Sequence, residues 1–226
     1  MSKIHFVGGE KGGVGKSVVA RLLAQYYIDK TIPFTVVDAD RSHGAMLRHY
    51  AEFSNPGDLD TFETTDHIMQ LALDADQRVI VDLPAQSERY LYNWMTKNGI
   101  SELAKESNVP LVFWHIMDDG KDAVSLLQSL FTKYGSLVEY ILIKNYGRGT
   151  DFSAFESSDV RKEADVLKAK IGSLDELHKP TMRKIDNLNV SFWSAINNKD
   201  GLGIIERHRV KVWQRNAYKE FDRLEV

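Results

Sequence analysis

Seven consecutive residues, Lys11-Gly12-Gly13-Val14-Gly15-Lys16-Ser17, carry the densest chemical signal in the chain. They follow a short apolar run at 4–7 and lead into Val18-Val19-Ala20-Arg21-Leu22-Leu23-Ala24, which reads as the start of an amphipathic helix. Glycines let the backbone wrap closely and turn several N–H groups toward one anion. A helix opening near Lys16 adds the positive end of its dipole at the same point. Lys16 then supplies a point charge for the β- and γ-phosphates, and the Ser17 hydroxyl is placed to ligate Mg²⁺. A glycine-rich turn before an ordinary helix would explain the glycines, but not Gly-Lys-Ser in this order. The chemistry implied is the binding of a magnesium–nucleoside triphosphate, cradled by Gly12, Gly13, Val14, Gly15, Lys16 and Ser17.

Two further segments end in carboxylates. Phe34-Thr35-Val36-Val37 runs into Asp38-Ala39-Asp40, and Arg78-Val79-Ile80-Val81 runs into Asp82-Leu83-Pro84-Ala85. In an extended segment alternate side chains share a face, which places Asp38 and Asp40 together. Neighbouring anions repel, and a cation is the usual relief. An Asp closing a buried strand opposite the loop is the arrangement that holds a Mg²⁺ shell. Either segment alone could be a helix cap or a turn; the two together, after the loop, point to one site.

These residues need a scaffold that brings them to one edge. Apolar runs at 4–7, 34–37, 79–81, 110–116 and 140–143 show little polar alternation, as strands buried on both faces do. Helical spacing is predicted over 16–30, 44–53, 65–74, 87–97 and 121–133. Strand and helix in alternation predict an α/β fold: a doubly wound, mostly parallel sheet flanked by helices, with ligands at the carboxyl ends of its strands. The polar stretch 146–158 reads as a long surface loop. After it the pattern turns helical to the end, with a closing helix near 202–224 in a helical region of about 178–226. The 226 residues read as one domain.

Composition removes other classes. Hydrophobic residues make up 43% and charged residues 27%, and the net charge is −3, so no global field recruits nucleic acid or anionic membrane. The chain has no cysteine, which excludes disulfides, thiolate metal sites and a cysteine nucleophile. No two histidines have zinc-enzyme spacing, and His5 and His115 lie within apolar runs, where a hydrogen-bonded core histidine is the expected reading. No apolar run is long enough to span a membrane, and the N-terminus lacks a signal-peptide layout; a cytoplasmic location is the expectation.

The loop departs from the common phosphate-binding pattern, which has glycine where Glu10 stands. With its second lysine it instead resembles the deviant P-loop of the ParA/MinD superfamily of ATPases, matched in full over residues 11–17. The strand ending in Asp38 and Asp40 and the strand ending in Asp82 follow in that family's order. The resemblance implies a P-loop NTPase fold, ATP and Mg²⁺ as cofactors, and an ATP-dependent homodimer. It implies that Lys11 reaches the partner's nucleotide, that Lys16 binds phosphate, and that Asp40 organises the attacking water. Ser17, Asp38 and Asp82 would serve the metal. The family often continues Asp-x-Asp with Pro-Gln, where this chain reads Arg41-Ser42-His43, so contacts of the first switch are expected to differ. Glu10, repelled by phosphates, is expected to face outward.

Asn145 follows a buried strand and is the candidate for contacting adenine, since an amide both donates and accepts; a turn-forming Asn is the equal alternative. Near the end, Val210, Trp213, Ala217, Phe221 and Leu224 form one apolar stripe, read as a helix docked on the sheet with a charged outer face. A membrane-surface or DNA-facing role for its basic residues is the lesser alternative. The function implied by the resemblance is a dimerising ATPase switch in plasmid or DNA segregation, conjugative transfer or subcellular positioning, with nonspecific DNA or a DNA-bound adaptor as partner. The competing class is an ATP-dependent ligase of the dethiobiotin-synthetase type, acting on a small carboxylate.

Overall fold

The five apolar runs become the five central strands of one seven-stranded, wholly parallel sheet, described by a computed structural model that covers residues 1–226. In chain order the elements are β1 (Lys3–Gly8), α1 (Lys16–Lys30), β2 (Phe34–Asp38), α2 (Ala45–His49), β3 (Ser54–Pro56), α3 (Phe62–Asp74), β4 (Arg78–Asp82), α4 (Glu88–Lys97), α5 (Ile100–Glu106), β5 (Leu111–Met117), α6 (Ala123–Tyr134), β6 (Glu139–Asn145), α7 (Ser153–Glu156), α8 (Asp159–Val166), β7 (Lys170–Leu174), α9 (Lys179–Leu188), α10 (Phe192–Asn197) and α11 (Ile204–Leu224). The strand order is β3-β2-β4-β1-β5-β6-β7. Both strands missing from the sequence reading, β3 and β7, are the edges. Edge strands pack less apolar surface and carry more polar residues, so their pattern is faint.

Alternation along each central strand divides the core in two. Ile4, Phe6, Phe113 and Leu142 face one layer, built from α3, α4, α5, α6 and α8. Val7, Trp114, Ile141 and Ile143 face the other, built from α1, α2, α9, α10 and α11. His5 is a satisfied core histidine: it accepts from the Trp114 indole at 3.0 Å and lies 3.0 Å from the Tyr27 hydroxyl. Burial pushes its imidazole down to about 3, so it stays neutral.

Several boundaries differ from the sequence reading. The helix expected over 44–53 stops at His49, because Tyr50 turns out of helical geometry (φ −140°). Its hydroxyl donates to Gln25 and accepts from the Phe192 N–H, so tertiary contacts override local propensity. The helix expected over 87–97 forms as α4, but a further helix, α5, follows Gly99 (φ 67°). The polar stretch 146–158 contains α7 rather than one loop, and β7 interrupts the expected helical tail.

The closing helix α11 forms as its stripe predicts: Val210, Trp213, Ala217, Phe221 and Leu224 are all buried. Phe221 packs edge-on to Trp114 and to Tyr26, with ring centroids 5.6 Å away in each case. The Trp213 indole donates to the Asp175 carbonyl at 2.7 Å, tying α11 to the loop after β7. Phe221→Ala should therefore cost about 3–5 kcal/mol, the range for emptying a buried aromatic site. Urea unfolding checks this; a loss below about 1 kcal/mol, as for a surface change, would mean α11 is not part of the cooperative core.

Candidate functional site

Register at the carboxyl edge decides what meets what. β4 lies between β1 and β2, pairing Val7 with Asp82 on one side and Asp38 with Asp82 on the other. The loop after β1 thus sits beside two strand-end carboxylates that are far apart in sequence. Strand order also reverses at β1, so the crevice for a ligand opens there.

The loop itself is held open. Gly9, Gly13 and Gly15 take φ of 135°, 76° and 104°, values that side chains other than glycine rarely adopt. A Cβ on Gly15 would also overlap the Asn145 amide. None of the backbone N–H groups from Gly12 to Ser17 reaches an acceptor in the chain with good geometry. Such unpaired donors, at the start of a 15-residue helix, form a concavity suited to an anion. Lys16 is 8% exposed, and its Nζ donates to the Lys11 carbonyl at 2.8 Å. Burial pulls its pKa below the usual lysine value, against the pull of Asp82, Asp40 and Glu10.

Asp82 is the most exposed to electrostatic cost. It is fully buried, and neither carboxylate oxygen accepts a well-formed hydrogen bond. Burial pushes its carboxyl up to about 7; Asp38 and Asp40 add to this, while the Ser17 hydroxyl and Lys16 oppose it. An orphaned buried carboxylate beside a hydroxyl fits a hydrated divalent cation, which would supply the missing charge. No group of three or more His, Asp or Glu side chains closes a protein-only metal site. Mg²⁺ fits that pattern, since it keeps waters and binds through few carboxylates and substrate phosphates.

The other predicted residues have more partners. Asp38 accepts from the N–H groups of Asp40 (3.2 Å), Met46 (2.8 Å) and Leu47 (3.0 Å), anchoring the segment between β2 and α2. Burial raises its pKa, and those bonds work against the rise. Asp40 accepts from the N–H groups of Ser42 (3.1 Å) and His43 (3.2 Å), and His43 Nδ1 lies 3.2 Å from its other oxygen. Asn145 is buried at the end of β6; it donates to the Val14 carbonyl at 2.7 Å and accepts from the Gly147 N–H at 3.0 Å. It braces the loop, and it also lines a cavity of about 260 Å³ that begins at Gly15 and runs between Arg148, Leu174 and Met182.

Three features escaped sequence reasoning. Lys11 Nζ is clasped in its own chain by Asp118 (2.8 Å) and Asp122 (2.7 Å) from the loop after β5, and these bonds raise its pKa. The acidic run Asp118-Asp119 after a fully buried strand was the available signal. Glu10 does not face outward: its carboxylate accepts from the Glu88 N–H at 3.2 Å, drawn to the N-terminus of α4. His115, expected to be hydrogen-bonded in the core, is buried beneath Gly9 with an unpartnered Nδ1, and burial pushes it down to about 4.

No family model matches the chain. Among curated proteins it is similar to Protein TraL of Escherichia coli, 24% identical over an alignment of 238 positions that covers 98% of each. Among solved structures it is similar to the septum site-determining protein MinD of Pyrococcus horikoshii, complexed with Mg-ADP: TM-score 0.54, 13% identity, 97% and 99% of the two chains covered. It is also similar to a plasmid partition protein of Borrelia burgdorferi bound to AMPPNP, with TM-score 0.51, 17% identity and coverage of 96% and 100%. The fold is therefore that of the MinD- and ParA-type P-loop ATPases.

The state of Asp82 yields a pH prediction. Its pKa is higher folded than unfolded, so between about pH 4 and 7 the folded state holds the extra proton and stability falls as pH rises. Asp82→Asn should raise the melting temperature of the nucleotide-free protein at pH 8 and change it far less at pH 5. An equal gain at both would show that Asp82 carries no buried charge.

Proposed function

We propose that this ParA/MinD-type chain is a Mg²⁺-dependent ATPase that works as a dimerising switch, with residues 1–226 acting as one unit. The observation that carries the reading is the pairing of unsatisfied groups: free N–H donors from Gly12 to Ser17 beside a buried, unpartnered Asp82 carboxylate. A magnesium triphosphate satisfies both at once. Ser17 and Asp82 would hold the cation, the latter through water, and the cation would neutralise charge on the phosphate oxygens. With three backbone donors on it, Asp38 chiefly supports the first switch and faces the same cluster. Asp40 would orient the water that attacks the γ-phosphorus, releasing ADP and phosphate. The base would enter the cavity at Gly15, with Asn145 at its wall.

Lys11 has a cost to meet before it can act on a partner's nucleotide, because Asp118 and Asp122 hold it at home. The Lys11–Asp118 pair is half-buried, with 31% and 16% of the two side chains exposed, while the Asp122 pair lies nearer the surface, where such pairs are weak. An incoming phosphate from a second copy can compete for it. The ligase alternative needs a pocket for a carboxylate substrate beside the γ-phosphate, and none of the relatives named above is a ligase. The TraL and partition-protein likenesses support a role in plasmid or DNA segregation, conjugative transfer or positioning. No helix is long and apolar enough to cross a membrane.

The central test mixes two variants. Lys16→Ala should lose ATP binding, and Lys11→Ala should bind ATP but lose both ATP-dependent dimerisation and most hydrolysis. Mixed dimers pair one intact loop with one intact trans lysine, so some hydrolysis should return. No recovery in verified mixed dimers would place Lys11 in its own subunit and favour the ligase reading.

A DNA partner has a physical basis in α11. Its acidic residues Glu206, Glu220 and Asp222 are each paired, to Lys184, Arg223 and Lys30, while exposed Arg209, Lys211, Arg215 and Lys219 have no ion pair. If these cations meet a duplex, the affinity of the ATP-bound protein should fall steeply with salt, and each cation changed to Ala should lower the log–log slope by about 1. No binding at low salt would remove DNA as a direct partner and favour a protein adaptor.

A further inference from the structure

Glu10 supplies a cap that α4 does not make for itself. The N–H of Glu88, the first residue of α4, is among the donors a helix leaves unsatisfied. Ser87 at the N-cap is the residue type expected to serve this turn, but its hydroxyl donates back to the Pro84 carbonyl at 2.9 Å. The donor on Glu88 goes instead to Glu10 Oε1, from the residue just before Lys11. Between Asp82 and this cap the chain takes a sparsely populated conformation, with Gln86 at φ 62°. The segment is thus pinned at β4 on one side and by Glu10 on the other.

The surroundings of Glu10 make the contact consequential. Its carboxylate lies within electrostatic reach of Lys16 and of the buried Glu88 side chain. Glu88 has Lys133 of α6 at 3.7 Å, and the Tyr134 hydroxyl donates to its main-chain oxygen at 2.9 Å. Beyond its first turn, α4 is fastened into the core by Leu91, Trp94 and Met95. One side chain therefore joins the loop between β1 and α1 to a helix that cannot shift freely.

We infer that Glu10 is a positioning residue: it couples the phosphate-binding loop to α4 and holds the Asp82–Ser87 segment in register with that loop. The inference rests on the ATPase reading and adds a residue that no motif requires. Glycine, the usual occupant of the position, has no side chain with which to make the link. The coupling carries an electrostatic cost, because the same anion near Lys16 opposes the arrival of a triphosphate.

Affinity and turnover should therefore separate. Wild type, Glu10→Gln and Glu10→Ala are compared for Mg-ATP affinity by calorimetry, for phosphate release, and for hydrogen exchange in the first turn of α4 without nucleotide. Both variants should bind ATP at least as tightly as wild type. Glu10→Ala should lose turnover by about tenfold or more, as small misplacements near a reacting centre do, and exchange faster at α4. Glu10→Gln keeps an oxygen that accepts from the Glu88 N–H, so it should retain most of the turnover and the protection. Wild-type turnover and exchange in Glu10→Ala would overturn the inference. So would loss of ATP binding in Glu10→Ala, or a Gln variant as impaired as Ala. If wild type itself binds no ATP, the ATPase reading fails, while the exchange comparison still decides the link to α4.

Discussion

Insertion of β4 between β1 and β2 is the constraint on which the site depends. Parallel pairing sets Val7, Asp82 and Asp38 in one row at the carboxyl edge. Strands in such a sheet are buried on both faces, and a slip of one residue would reverse every side chain. Ile4 and Phe6 pack into one layer and Val7 into the other, and this register carries the carboxylates to the loop. Core packing and site assembly are here the same requirement.

That assembly concentrates charge in a place with little water. Lys16 is nearly buried among Asp82, Asp40 and Glu10, while Asp82 has no solvent and no well-formed hydrogen bond. Stability and function pull against each other at this edge, as at many sites that wait for a ligand. The conflict is eased locally: Lys16 turns to the Lys11 carbonyl, Lys11 to Asp118 and Asp122, and Glu10 to α4. Each of these contacts involves a group that the proposed nucleotide or a second subunit would engage or crowd.

The remainder of the molecule makes the edge rigid. α11 closes one face through its apolar stripe, and Trp213 fastens it to the loop that borders the cavity at Gly15. Asn145 ties β6 to Val14 from the other side, so the phosphate-binding loop is braced by a strand it does not follow in sequence. Asp119 accepts from the N–H groups of Thr150 (2.7 Å) and Asp151 (3.3 Å), linking the loops after β5 and β6. Lys11 is clasped by the first of those loops.

Read alone, the sequence determined the α/β class, the five central strands, the closing helix and the glycine-rich loop between β1 and α1. Each is written in local terms: unbroken apolar runs, a stripe at helical spacing, and glycines that must precede Lys16 and Ser17. The tertiary structure decided the rest, because it concerns which distant groups meet. The edge strand β3 has only three residues, Ser-Asn-Pro, and β7 mixes polar with apolar residues, so only pairing defines them. That Asp82 has no partner, that Asn145 braces Val14, and that Asp118 and Asp122 hold Lys11 follow from strand order, which periodicity does not encode. Glu10 is the clearest case. Its charge suggested an outward pose, but the fold brings beside it the unsatisfied N–H at the start of a helix, which it accepts from.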